Sequence, residues 1–287
     1  MLLALLNSFL LLQPRYLPLL FIIPLLYGLG WLIAIALAPF GLASGSISLT
    51  GTLLSFFMFL ALMPRWVDQR WGEKDCWMTL GIRRRYSDRR PSHLRAMMRG
   101  LLIALVLLSV VTIPALLCGW GTWLGIWKVS TSINALMLCL GVGLAEELIF
   151  RAWLWEELKR FMGSSSALIS QALVFSIVHI RFNLGATSTL KLLISLFFLG
   201  IALAAQRYLD NGSLWGCIGL HGGLVGAWFL LQNGLLTLSP RAPIWLVGSS
   251  ESHTNPLSGT VAIIAFSLLI LWQWRSINHV TLSNSES

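Results

Sequence analysis

The sequence predicts an all-α fold: a polytopic membrane protein, a bundle of about eight transmembrane helices. Three observations carry that expectation. Hydrophobic residues make up 56% of the chain and charged residues only 11%, against about 25% charged in soluble domains. Apolar stretches recur at lengths near the roughly 20 residues that a helical span needs. Lysine and arginine gather between these stretches, most densely from Arg65 to Arg99.

The Leu-rich opening, Met1–Leu12, lacks a basic head and a small-residue cleavage site, and Gln13-Pro14-Arg15 follows it. It reads as a short interfacial lead-in rather than a secretory signal. The spans are expected at 16–39, 46–63, 100–119, 132–155, 166–181, 188–206, 213–232 and 258–274. Pro18, Pro24 and Pro39 are tolerable in the first if neighbours satisfy the freed carbonyls. The short 166–181 run is expected to be tucked inside the bundle. The stretch 232–257, with Pro240, Pro243 and Pro256, reads as an irregular outward loop, and the polar tail Asn278–Ser287 as disordered. Three regions follow: 1–131, an N-terminal transmembrane region with a basic cytoplasmic segment at 64–99; 132–232, a core with buried polar residues; and 233–287, an outer loop, the last helix and the tail.

Orientation comes from lysine and arginine. Ten lie between Arg65 and Arg99, which makes that segment cytoplasmic. Eight spans then put both termini inside. The other inward loops carry Lys159, Arg160, Arg207 and Arg275; the outward ones carry Lys128, Arg181, Lys191 and Arg241. The net charge of +9 thus reports topology and contact with anionic membrane lipid, not nucleic acid. Trp66, Trp71 and Trp77 interleave with the basic residues, as on a helix lying at the headgroup level. Docking of an acidic soluble partner is the alternative. Cys76, Cys118, Cys139 and Cys217 have no metal-site or disulfide spacing and read as free packing residues.

The chemistry is concentrated in Gly141-Val-Gly-Leu-Ala-Glu-Glu-Leu-Ile-Phe-Arg151. Ionisable side chains at membrane depth cost roughly 2.5–3.5 kcal/mol each on insertion scales. Glu147 and Arg151 are four apart and share a helix face. Arg151 is expected to neutralise Glu147, which leaves Glu146 facing elsewhere. A structural ion pair explains Glu147 with Arg151 but not the second carboxylate. The fifth span offers Phe175-Ser-Ile-Val-His179 and the seventh Gly219-Leu-His221-Gly-Gly. Each histidine alone reads as a packing residue. Together with the glutamates they suggest one site built across facing helices. Counted from the inner ends of the spans, Glu146 and His221 lie at matching depth, whereas His179 lies nearer the outer surface. Gly216, Gly219, Gly222, Gly223 and Gly226 allow close approach of another helix or of a substrate.

With these pieces the sequence resembles the CPBP family, also called the Abi family: CAAX proteases and bacteriocin-processing enzymes, including the type II CAAX prenyl endopeptidases. The family's motif Glu-Glu-x-x-x-Arg is matched by Glu146-Glu147-Leu-Ile-Phe-Arg151. Phe-x-x-x-His is matched by Phe175-Ser-Ile-Val-His179. His-x-x-x-Asn/Asp is matched in part by His221-Gly-Gly-Leu-Val225. The resemblance covers about 132–232 and implies an intramembrane endopeptidase acting on a membrane-associated protein or peptide. By it, Glu146 and His179 activate a water, His221 stabilises the oxyanion, and Glu147 with Arg151 holds the first motif. The family is described both as metalloproteases and as glutamate-dependent. Glu146, His179 and His221 are a possible zinc ligand set, and a carboxylate in apolar surroundings is an equally possible unaided base.

Position 225 is Val where the family pattern has Asn or Asp. If that residue is an oxyanion donor, its loss costs about 10²–10³ in rate, unless Asn183 or a backbone amide replaces it. Two other readings compete. One is a non-catalytic protein that binds or escorts membrane proteins through the same cavity. The other is an ion or solute transporter, opposed by the lack of an inverted repeat.

Overall fold

The computed structural model describes residues 2–84, 92–181, 184–248 and 255–285. It divides into two compact units, Met1–Thr79 and Leu80–Ser287. The first holds α1 (Leu2–Leu10), α2 (Tyr16–Leu37), α3 (Ile47–Trp66) and the short α4 (Cys76–Thr79). α2 and α3 pack through small residues, since a Cβ added at Gly51 would come 2.9 Å from the ring of Trp31. A π-helical turn, Val67–Trp71, ends α3. From it Arg70 donates to the carbonyls of Leu10, at 2.5 Å, and Arg15, at 2.7 Å. A cation thus satisfies the Leu10 carbonyl left open at the end of α1 and ties it to the start of α2 through Arg15.

This turn corrects one expectation. Trp66 is fully buried, and no continuous headgroup-level helix links Trp66, Trp71 and Trp77. Arg85, Arg89 and Arg90 lie outside the described residues.

The second unit holds α5 (His93–Leu117), β1 (Gly121–Trp123), α6 (Val129–Glu147), α7 (Trp155–Met162), α8 (Ser164–Ile177), α9 (Ala186–Leu209), α10 (Trp215–Leu230), β2 (Leu236–Leu238), α11 (Ile244–Val247) and α12 (Thr260–Ser285). A π-helical segment, Leu148–Leu154, joins α6 to α7 without a break. β1 and β2 pair antiparallel, Gly121 opposite Leu238 and Trp123 opposite Leu236. Ser92 caps α5, which therefore starts earlier than the apolar run and carries Arg95 and Arg99. The 232–257 stretch is not wholly irregular, because it contains β2 and α11. α12 continues to Ser285, through residues expected to be disordered.

The chain is an all-α polytopic membrane protein. A helix occupies each of the eight expected spans. Among the described residues six are long and apolar enough to cross a membrane: Tyr16–Phe40, Ser44–Trp71, His93–Leu117, Val129–Met162, Ala186–Leu209 and Thr260–Asn278. Many of their large apolar side chains point outward, such as Leu20, Phe21 and Leu32 on α2 and Leu102 and Val106 on α5. In water such a surface would drive association; in lipid it is solvated. The two remaining helices, α8 and α10, are shorter. α10 is enclosed, with every residue from Gly216 to Leu224 buried. A helix that meets protein on all sides needs no lipid-facing apolar surface and can hold histidine and glycine.

The glycines set where α10 sits. A Cβ at Gly219 would run into the backbone of Met97 on α5, and one at Gly223 would come 2.8 Å from the Ala104 Cβ. On the other flank, a Cβ at Gly222 would meet the Cys139 carbonyl of α6, and one at Gly226 would come 2.8 Å from the Cys139 Cβ. Two glycine pairs, each four residues apart, thus bring two backbones against adjoining faces of α10. His221, between Gly219 and Gly222, is carried directly against α6.

Candidate active site

Glu146 and Glu147 end α6, Arg151 lies in the π-helical segment, His179 lies just past α8, and His221 lies on α10. Glu147 and Arg151 are both fully buried, and Arg151 Nη1 donates to Glu147 Oε1 at 3.0 Å. His221 Nδ1 lies 2.7 Å from the same oxygen. The guanidinium also sits over the face of Phe175, 3.9 Å from its centroid. This contact matters because Arg151 Nε and Nη2 have no hydrogen-bond acceptor. The Phe175 ring, itself fully buried, touches His179 at 4.7 Å, Phe150 at 5.1 Å and His221 at 5.7 Å between centroids. It is the wall against which the cation and both imidazoles rest.

Glu146 is the partly open member, 27% exposed, and His179 is similar at 31%. Glu146 Oε2 lies 3.3 Å from His179 Nε2 and 3.8 Å from His221 Nε2, yet forms no aligned hydrogen bond. The far nitrogens are committed. His179 Nδ1 lies 2.7 Å from the Phe175 carbonyl, which can only accept, so Nδ1 carries a proton. Glu147, as a carboxylate facing Arg151, likewise accepts from His221 Nδ1. Both rings therefore turn Nε2 toward one carboxylate oxygen. A proton or a small polar molecule between them would meet Glu146 and His179 at once.

The depth mismatch expected for His179 disappears. α6 does not end near Trp155 but continues through α7 to Met162, about 24 Å of rise from Glu146. α8 then starts at Ser164 and climbs back about 20 Å to Ile177, and one further turn, His179 N–H to the Ser176 carbonyl, raises His179 to the level of Glu146. The polar residues of α7 hid this helix in the sequence. Asn183 lies outside the described residues. Val225 follows His221 by one turn on α10 and brings no polar atom.

Two imidazoles and a carboxylate are a zinc-type donor set. Yet among the described residues no group of three or more His, Cys, Asp or Glu side chains is placed to hold a metal ion. A recess of about 330 Å³ lined by Trp127, Lys128, Val129, Ser132, Ile133 and Leu136 lies at the far end of α6. Its nearest lining residue is ten positions from Glu146, about 15 Å along the helix, so it is separate from this site.

Residues 128–227 match the family of type II CAAX prenyl endopeptidase Rce1-like proteins. The matched stretch is about a third of the chain. It spans α6 to α10 and contains Glu146, Glu147, Arg151, Phe175, His179, His221 and Val225. Residues 3–75, nearly the whole first unit, match a domain of unknown function, DUF8676. No curated protein matches the chain, and no solved structure does.

The matched stretch also holds a polar group that sequence reasoning missed. Arg207, on α9, is 3% exposed, pairs with Glu156 of α7 at 3.1 Å and donates to the Arg151 carbonyl. The sequence had assigned it to an inward loop as a topology charge. Asp210, fully buried, pairs with Arg99 of α5. It also accepts from Gln206 at 3.1 Å, and Gln206 in turn accepts from Gln273 of α12 at 3.2 Å. Two glutamines 67 residues apart, on different helices and in no motif, gave no signal of this link.

Proposed function

We propose that the protein is an intramembrane endopeptidase of the CAAX type, hydrolysing a peptide bond in a membrane-associated protein or peptide. The supporting observation is the convergence of His179 Nε2 and His221 Nε2 on Glu146 Oε2. Glu146 and His179 form a proton-accepting pair for a water entering between them, and later return the proton to the leaving amine. Glu147 holds the His221 Nδ1–H, so that a second proton on Nε2 makes that ring a donor toward the oxyanion, with Glu147 balancing its charge. Arg151 holds Glu147, and Phe175 holds Arg151. Catalysis requires the chain's own side chains, with both termini on the cytoplasmic side as the lysine and arginine bias implies.

The test uses purified protein and a quenched peptide ending in a farnesylated CAAX sequence. Cleavage is expected, its rate with and without exhaustive chelation reads whether a metal takes part, and Glu146→Ala and His179→Ala each abolish it while the proteins still insert. Full activity in either variant would overturn the assignment.

Val225 favours a second reading, a non-catalytic membrane-protein binding factor, because it leaves the third motif without its polar side chain. That reading expects Glu146→Gln to keep the cellular phenotype. Loss of the phenotype in that near-isosteric variant removes it.

A further inference from the structure

We propose that Arg207 is the positioning residue of this site, holding the π-helical turn that aims the Glu146–Arg151 motif. In an α-helix the Trp155 N–H would reach the Arg151 carbonyl. Here it reaches Phe150 instead, one residue further back, as a π turn requires. The Arg151 carbonyl loses its ordinary donor within a buried part of a membrane helix. Arg207 Nη1, arriving from α9, donates to that same carbonyl.

The guanidinium is itself fixed from other sides. Glu156 of α7 pairs with it at 3.1 Å, Arg207 Nε reaches the Gly212 carbonyl at 3.4 Å, and the Trp155 ring lies 5.7 Å from its Cζ. Glu156 is held in turn by Lys159 at 2.8 Å and Arg160 at 3.6 Å. The connection to the chemistry is short. Arg207 grips the backbone of Arg151, the Arg151 side chain grips Glu147, and Glu147 grips His221 Nδ1. Without the first grip the extra residue of the π turn is free to migrate along the helix, which rotates Arg151 away from Glu147. The effect on turnover rests on the endopeptidase reading; the effect on His221 does not.

The experiment compares the full-length wild type with R207M, which keeps volume and loses every donor, and R207K, which keeps charge and one donor. Two readings are taken on folded protein: kcat and KM on the quenched farnesylated peptide, and carbethoxylation of His221 by diethyl pyrocarbonate, read by mass spectrometry with His93 as internal reference. R207M is expected to lower kcat at least about tenfold at nearly unchanged KM, the cost of misplacing a reacting group by about an ångström or less. R207K is expected to recover most of the loss. His221 is expected to react several-fold faster in R207M, with His93 unchanged. Wild-type reactivity at His221, or wild-type kcat, in folded R207M overturns the proposal. If the wild type does not cleave the peptide, the endopeptidase reading fails for that substrate class, and the His221 arm alone decides on Arg207. Should R207M not fold, R207Q replaces it under the same criteria.

Discussion

Glu147 Oε1 accepts from both Arg151 Nη1, at 3.0 Å, and His221 Nδ1, at 2.7 Å. One buried oxygen thereby ties the charge that α6 must neutralise to the imidazole that α10 must orient. Neither job can be altered alone. Breaking a buried ion pair from one side costs about 3–5 kcal/mol, because the other charge is stranded. The same change releases the His221 tautomer.

Glu147→Gln tests this coupling. The amide is nearly isosteric but carries no charge for Arg151 and can offer His221 a donor in place of an acceptor. Activity is expected to fall about 10²-fold, in the range seen when an oxyanion donor is lost, with thermal stability reduced as well. Arg151→Lys should be milder for stability than for activity, since lysine keeps the charge but not the planar contact with Phe175. Melting curves beside kcat/KM on the same preparations check both. Equal activity for Glu147→Gln and wild type would show that His221 needs no charged partner at Nδ1.

Cysteine reactivity gives a pH-dependent check on the first unit. Cys76 is buried, and burial first, with Asp75 adding to it, pushes its thiol up to about 12. A raised thiol pKa means that the reactive thiolate is scarce below that pH. Cys118 is exposed. Iodoacetamide at pH 8 is expected to label Cys118 and spare Cys76, and raising the pH to 9.5 should leave Cys76 still mostly unlabelled while the protein is folded. Peptide mapping by mass spectrometry measures it. Rapid labelling of Cys76 at pH 8 would mean that its thiol is not buried in the folded protein.

The helices were legible because lipid imposes a length and a composition that each span must meet. The motif residues were legible because a carboxylate or an imidazole inside such a span stands out against its cost. What the sequence hid has a common cause: polarity that is satisfied locally looks like a loop. Glu156, Lys159 and Arg160 made α7 read as an inward loop, although it extends the helix of Glu146 by eight residues and so brings His179 level with it. Arg207 looked like a topology charge because the carbonyl it serves is freed only by a π turn, which no composition predicts. Among the described residues six helices rather than eight meet the length criterion, because α8 and α10 are short and α10 is shielded by its neighbours.

Gly222 is where packing and chemistry meet most closely. A side chain there would drive into the Cys139 carbonyl of α6, and backbone cannot yield as a flexible side chain can. Gly222→Ala should push α10 away from α6 and carry His221 off Glu147 and Glu146. Overpacking costs about 1–3 kcal/mol, so the variant is expected to insert and melt earlier, with a much larger relative loss of activity than of stability. Gly141, where an added Cβ meets nothing within 4 Å, is the control: Gly141→Ala should keep both. Thermal melts and cleavage assays on the pair decide the matter.

The buried polar link of α5, α9 and α12 makes the last prediction. Asp210 is fully buried and Arg99 nearly half exposed, so the two partners are not equivalent. Arg99→Ala leaves a carboxylate inside the protein with Gln206 as its remaining side-chain donor. Asp210→Asn leaves an arginine that can turn to water. Because water also reaches Arg99, the loss for Arg99→Ala is expected near about 2 kcal/mol rather than the full buried-pair figure of about 3–5. Asp210→Asn should cost about 1 kcal/mol, the scale of a single hydrogen bond. Gln273→Leu removes an end member whose carbonyl oxygen already has no donor, and should be close to neutral. The order Arg99→Ala, Asp210→Asn, Gln273→Leu in falling severity, read from unfolding of the detergent-solubilised protein, follows from burial. An order set instead by distance from Glu146 would mean that these residues act on the site rather than on the fold.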